Sequence, residues 1–211
     1  ALRLIAKHTG DLTRSADLIK EQQPLPEYVV EERVSERDTH HAHVLIGNRG
    51  CSRVDKDQKV LFFLSNILGG PGMNSLLNVS LREKHGLVYS VGSHMYSYQD
   101  SGIWSVYFGC DDSKIEKCRR LVLNELTDLC TNQLSPQRLA MAKKQFLGQI
   151  LISGDNFESY ALAMGRHYAR TGKHRDVEEL CDSIRAISSA DLLRVAQRIF
   201  DPEKLTTLIY K

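Results

Sequence analysis

Apolar residues recur every second position in some stretches of the chain and every third or fourth in others, and the two spacings predict its elements. Leu2-Arg3-Leu4-Ile5 alternates and predicts a strand, with a short helix over 11–19. Residues 28–34 are strand-like, and 41–46, with Val44 and Ile46 in alternation, predict another strand. Gly47-Asn48-Arg49-Gly50 reads as a turn. Residues 60–68 are strongly apolar and too long for an ordinary strand. With Asp55 or Asp57 ahead as a cap, they predict a buried helix. Residues 90–97 and 103–110 predict two strands joined by a hairpin turn at 98–102, and so short a connection makes them antiparallel.

Beyond residue 110 the spacing is mostly helical. Ile115, Cys118, Val122, Leu126 and Leu129 recur at three and four. Ser135-Pro136 is a cap followed by proline at the first helical position, opening a helix that carries Leu139, Ala142, Phe146 and Ile150. Asp155 with Glu158 resembles a capping box for a helix to about Arg170. Residues 177–184 predict a further helix. Ser188 with Asp191 begins another that ends near Phe200. Residues 205–210 predict a last strand returning to the sheet. This order gives an α+β fold: one largely antiparallel sheet with helices packed on one face. Gln22-Gln23-Pro24-Leu25-Pro26 cannot continue a helix and marks a linker. Residues 1–24 are then a tail and linker, and 25–211 the main domain.

One stretch organises the rest, residues 68–90. Gly69-Gly70-Pro71-Gly72 opens it, Asn74 is suited to cap a helix, and Leu76, Leu77, Val79 and Leu81 supply a short helix. Gly86 stops that helix, and Leu87-Val88-Tyr89 starts a strand. Three glycines around a proline leave room for another backbone, such as a bound peptide. Arg82 and Tyr89 bracket the helix-to-strand turn. Two such donors converging on a carbonyl oxygen would stabilise an oxyanion. Equally, Arg82 can cap a helix end or pair with Glu83 or Asp100, and Tyr89 can sit half-buried in the core.

Composition narrows the choice. The 28 basic and 26 acidic residues nearly cancel, and no basic stripe is interleaved with aromatics, so nucleic acid is not indicated. No apolar run approaches a membrane span, and no signal-peptide pattern opens the chain. The five scattered cysteines form no C-x-x-C pair and read as reduced, mostly buried thiols, which points to a reducing compartment such as the cytoplasm. His40, His41 and His43 are the densest ligand-like cluster, and His41 and His43 share one strand face. Two imidazoles make half a zinc site, and no third ligand stands nearby. H-E-x-x-H, H-x-x-E-H, G-x-S-x-G and the phosphate-loop glycine patterns are all absent, so the expected metal ligands in this chain are none.

The run Ile67-Leu68-Gly69-Gly70, Ser75-Leu76-Leu77, Leu81-Arg82-Glu83, Gly86-Leu87, Tyr89-Ser90 resembles the second half of a catalytic unit in the inverzincin zinc peptidases, the family of pitrilysin, insulin-degrading enzyme and the mitochondrial processing peptidase. His43-Val44-Leu45-Ile46-Gly47, Asp100-Ser101-Gly102 and Ala142-Lys143-Lys144-Gln145 extend the resemblance over about residues 25–211. It implies two similar α+β halves facing each other, with Zn2+ and the H-x-x-E-H helix in the first half and none in this chain. The second half supplies an arginine and a tyrosine seven residues apart, here Arg82 and Tyr89, which hold the substrate carbonyl. Gly69, Gly70, Gly72 and Asn74 would face the same cavity and touch the peptide. Leu76 stands where the family usually has arginine.

The implied function is the substrate-binding half of a zinc metalloendopeptidase, inactive alone. Its partners are a zinc-bearing N-terminal half, on the same chain or another subunit, and a peptide substrate; a homodimer is left open. The alternative is a non-catalytic structural or partner subunit of the same family. A third reading is a metal-binding module using His41 and His43.

Overall fold

A computed structural model describes residues 2–10, 25–36, 40–174 and 176–211. The predicted helix over 11–19 and most of the linker lie outside the described residues. Five strands form one sheet, β1 (Glu32–Ser35), β2 (Ala42–Arg49), β3 (Val88–Ser97), β4 (Gly102–Cys110) and β5 (Thr206–Tyr210), in the order β1-β5-β2-β4-β3. Only β1 with β5 is parallel; the other three pairings are antiparallel. The helices are α1 (Leu2–Thr9), α2 (Gln58–Gly69), α3 (Ile115–Thr131), α4 (Pro136–Ile152), α5 (Phe157–Thr171), α6 (Val177–Ala186) and α7 (Ser189–Ile199). Among the described residues no helix is long and apolar enough to cross a membrane.

Strand alternation explains the layers. On β2, Ala42, Val44, Ile46 and Asn48 are buried, while His43, Leu45, Gly47 and Arg49 between them are not. On β4, Trp104, Val106 and Phe108 are buried in the same way. Leu61, Phe63, Leu64 and Leu68 of α2, Val122 and Leu126 of α3 and Val195 of α7 close over that face in one core. Trp104 lies 4.2 Å from the Phe200 ring, and its indole N–H donates to Ser93 Oγ at 3.0 Å. Burying a side chain of this size contributes about 1.5–3 kcal/mol. The polar tip needs its partner, because an unpaired buried N–H would offset much of that gain. The opposite face of the sheet is not covered by these helices. The five cysteines are free thiols, four of them buried. Burial, with Asp55 nearby, pushes the Cys51 thiol up to about 12.

Several local expectations differ. Leu2-Arg3-Leu4-Ile5 is helical, within α1, rather than a strand. A helix satisfies its own backbone, whereas a strand needs a neighbour for its ladder bonds. None of α1 is buried; Leu2 is 83% exposed. Gly47-Asn48-Arg49 continues β2 instead of turning. A Cβ at Gly47 would stand 2.7 Å from the Trp104 carbonyl oxygen, so glycine serves close strand approach. Asn48 points inward and donates to the Ile199 carbonyl at 2.9 Å. Pairing in β1 begins only at Glu32, later than the strand-like run at 28–34. Tyr28 instead reaches β5 through its hydroxyl, which shares a 2.8 Å bond with Thr206 Oγ1 and donates to the Lys204 carbonyl, just ahead of the strand, at 3.0 Å.

At α5 the cap is Asn156, whose side chain accepts from Ser159 N, not Asp155. Caps at Ser135 and at Ser188 with Asp191 form as expected. Asp57 occupies the cap position of α2 without capping it. Its carboxylate instead accepts from Arg194 at 2.8 and 2.9 Å and from Arg198 at 2.9 Å, tying α2 to α7.

Candidate functional site

The glycine loop begins where α2 meets β3. A Cβ on Gly69 would lie 2.5 Å from Ser93 N and 2.9 Å from the Gly92 carbonyl carbon. The backbone that needs this glycine's bareness is therefore β3 of the same chain. The Gly70 N–H donates to the Asn66 carbonyl and ends α2. Two amide pairs fasten the loop to α4. Asn66 Nδ2 donates to Gln149 Oε1 at 2.8 Å. Asn74 and Gln145 exchange two bonds, at 2.7 and 2.9 Å. Asn74 is thus engaged across the fold, 71 residues away, rather than capping the helix that follows it. Gln145 and Gln149 are one helical turn apart, which turns both toward the loop. Gln145 is the last residue of the Ala142-Lys143-Lys144-Gln145 motif; Gln149 carried no local signal. A Cβ on Gly72 would stand 2.3 Å from the Gln145 amide nitrogen, so that side chain fills the space beside the loop.

The expected short helix is a π-helix over Asn78–Glu83, with Ser80 and Leu81 buried beneath it. π-Helical turns are rare and frequent at functional sites. Lys84 N donates to Val79 O, five residues back. Gly86, at φ +56°, closes the segment in the left-handed region. Its N–H donates to Arg82 O at 2.9 Å, and Leu87 N–H donates to Leu81 O at 2.9 Å. Both closing bonds are one residue wider than in a Schellman stop, as the wider helix requires. Arg82 is exposed on this last turn. Among the described residues its guanidinium is in no ion pair, with Glu83, Asp100 or any other carboxylate.

Tyr89 follows at a break in the sheet register. Val88 pairs with Cys110 and Ser90 with Gly109, so Tyr89 is the extra residue of a bulge. A bulge re-aims the side chain it carries. Tyr89 is 63% exposed rather than half-buried in the core. Its hydroxyl donates to Asp111 Oδ1 at 3.0 Å, and its ring lies 4.6 Å from that of His41. His41 Nδ1 is 3.7 Å from the same carboxylate oxygen. The Asp111 bond and charge hold the Tyr89 phenol above its usual range, so it stays a protonated donor at neutral pH. Arg82 and Tyr89 thus both stand exposed on either side of the Gly86 turn, with no hydrogen bond joining them among the described residues.

His43, on the uncovered sheet face, shares a 2.8 Å bond with the Tyr107 hydroxyl, while His41 sits with Tyr89 and Asp111. Among the described residues no three His, Cys, Asp or Glu side chains are grouped to hold a metal ion.

Comparison with known proteins adds the following. A family model described as the peptidase M16 inactive domain matches residues 1–146. A Bacillus subtilis protein named an uncharacterized zinc protease, YmxG, is 27% identical over 184 residues, which are 87% of this chain and 45% of that protein. A Streptomyces coelicolor protein, also named an uncharacterized zinc protease, is 28% identical over 163 residues, covering 77% of this chain and 35% of its own length. Among solved structures, a protease from Helicobacter pylori superposes with a TM-score of 0.80 at 22% identity, over 100% of this chain and 52% of that one. A peptidase M16 inactive domain from Pseudomonas fluorescens gives 0.74 at 20% identity, over 90% and 45%. The chain spans less than half the length of these curated relatives.

Proposed function

The chain belongs to the peptidase M16 family, within the part described as its inactive domain, and from that premise we propose that it is the substrate-holding half of a zinc metalloendopeptidase. A second, zinc-bearing half of similar fold completes the unit, on the same polypeptide or on a partner subunit. The greater length of the relatives supports this. Residues 25–211 form the peptidase-like unit and residues 1–24 lead into it; the family match itself begins at residue 1.

The observation that carries the reading is the paired exposure of Arg82 and Tyr89. A π-turn, a left-handed glycine and a bulge each present one of these side chains or separate the two. Zinc held by the other half would supply the Lewis acid. In this half the Arg82 guanidinium and the Tyr89 hydroxyl donate to the scissile carbonyl oxygen. The fixed positive charge of Arg82 strengthens that bond as negative charge grows on the oxygen. Tyr89 exchanges its bond to Asp111 for one to the substrate oxygen. Gly70, Gly72 and Asn74 line the peptide's path on the loop held by α4, with Gly69 setting the loop's start.

Donors aimed at a developing oxyanion contribute about 2.7–4 kcal/mol each. In the full-length protein, Arg82→Ala and Tyr89→Phe should each lower kcat by about 100- to 1,000-fold with melting temperature unchanged. Wild-type turnover in both variants would end the proposal, and a folded full-length wild type that shows no turnover would favour a non-catalytic partner subunit.

A further inference from the structure

At the far end of β3 from Tyr89, on the helix side of the sheet, lies a groove of about 830 Å³ between α2 and α5–α6. Arg53 and Lys59 line one wall. Arg166 and Arg170, one helical turn apart on α5, line the other, with Lys173 just beyond. Phe62 and Met95 form an apolar floor. The carboxylates at the rim are Asp176 and Glu179, and Asp176 is occupied as the cap of α6, accepting from the N–H groups of Glu178 and Glu179.

Elsewhere on the surface some arginines are paired and others, Arg82 among them, are not; what marks this groove is that five cations share it. Arg33, Arg119, Arg185, Arg194 and Arg198 are each paired with a carboxylate. Among the described residues none of the five groove cations is in an ion pair. They gather in one concavity in a chain whose net charge is only +2. Like charges crowded on low-dielectric walls raise the local potential and draw in anions. One wall, α5, has no buried residue, so it stands off the core and leaves the groove open.

We propose that this groove binds an acidic peptide segment. Guanidinium forks on facing walls match carboxylates spaced along an extended chain. The floor of Phe62 and Met95 selects a peptide over an inorganic polyanion, because it is covered only by a ligand that brings apolar side chains of its own. Met95 and Ser97 lie six and eight residues beyond Tyr89, about 20–26 Å along an extended strand. The occupant therefore binds without touching Arg82 or Tyr89, and the assignment stands or falls apart from the peptidase reading.

The test uses the full-length protein and a fluorescein-labelled peptide of glutamates interrupted by leucine and phenylalanine, read by anisotropy. Arg166→Glu with Arg170→Glu should weaken binding by about tenfold or more, as should Arg53→Gln with Lys59→Gln on the facing wall. Helicity and melting temperature should hold in the α5 variant, whose two side chains are exposed, and circular dichroism checks the other, because Arg53 is half-buried and donates to the Ser97 carbonyl at 3.3 Å. Raising salt from low to physiological strength should weaken the wild type but not the charge-reversed protein. Phe62→Ser should weaken the peptide and leave tripolyphosphate binding unchanged. Absence of wild-type binding, wild-type affinity in either wall variant, or a Phe62→Ser protein that keeps wild-type affinity for the peptide would overturn the assignment.

Discussion

Replacing Gly69 by alanine adds one methyl group where α2 touches β3, and the structure sets its cost. The new carbon would stand 2.5 Å from Ser93 N, 2.9 Å from the Gly92 carbonyl carbon and 3.0 Å from Ser93 Cβ, where ordinary contact begins at 3.4 Å. Two of these three neighbours are backbone atoms of a paired strand, so no side chain can swing aside. The end of α2 must retreat by roughly 1 Å, and forced overpacking of this kind costs about 1–3 kcal/mol. Alanine recovers part of that through helix propensity, at most about 1 kcal/mol and less at a last helical residue. With about 0.5 kcal/mol recovered the net loss is about 0.5–2.5 kcal/mol, a fall in melting temperature of roughly 1–10 °C at about 2–4 °C per kcal/mol. Gly148→Ala is the matched control. It lies inside α4 with nothing within 4 Å of the added carbon, so only propensity acts and melting should rise by about 2–4 °C. Calorimetry on both variants gives the answer. A Gly69→Ala protein that melts at or above wild type would refute the close-approach account of this glycine, and with it the fixed start of the loop.

Two further expectations concern charge. Asp57 is 3% exposed between guanidiniums that are about half exposed, so Asp57→Asn should cost about 2–3 kcal/mol, at the low end for a broken buried pair. Hydrogen bonds from Arg194 first, then Arg198, hold its folded pKa below the usual aspartate range, about 3.9. The stabilisation is therefore fully present above that value and lost as pH falls through the folded pKa, so the melting difference between wild type and Asp57→Asn should shrink below about pH 4; a constant difference down to pH 2 would contradict the assignment. Spectrophotometric titration should find Tyr89, identified by its loss in Tyr89→Phe, ionising above the usual tyrosine range, and Asp111→Asn should bring it down; no change in Asp111→Asn would show that the carboxylate is not its partner.

What the sequence conveyed and what it concealed divide by range. The helical spacing of Ile115 to Leu129, the Ser135-Pro136 start and the Ser188–Asp191 box are decided within a few residues, and all three form. The hairpin at 98–102 and the return of residues 205–210 to the sheet follow from the same local logic. Asn48 was concealed because its partner, the Ile199 carbonyl, is 151 residues away; read locally, an asparagine between glycines is a turn. Asn74 looked like a cap for the same reason, with Gln145 out of view. At α5, Asp155 and Asn156 are both good caps, and the backbone chose the second. Arg82, Gly86 and Tyr89 were legible as a motif, but not the π-turn and bulge that expose them. Each inserts one residue into a regular ladder, and no side-chain pattern marks that insertion.

The most direct test of the account is a double-mutant cycle on kcat/KM in the full-length protein, using Arg82→Ala, Tyr89→Phe and the combined variant with one peptide substrate. Two donors that hold one oxygen are not independent. The double variant should therefore lose less than the product of the single losses, with a coupling of about 0.5–3 kcal/mol. Single losses that multiply without coupling would place the two groups on different atoms and contradict the claim.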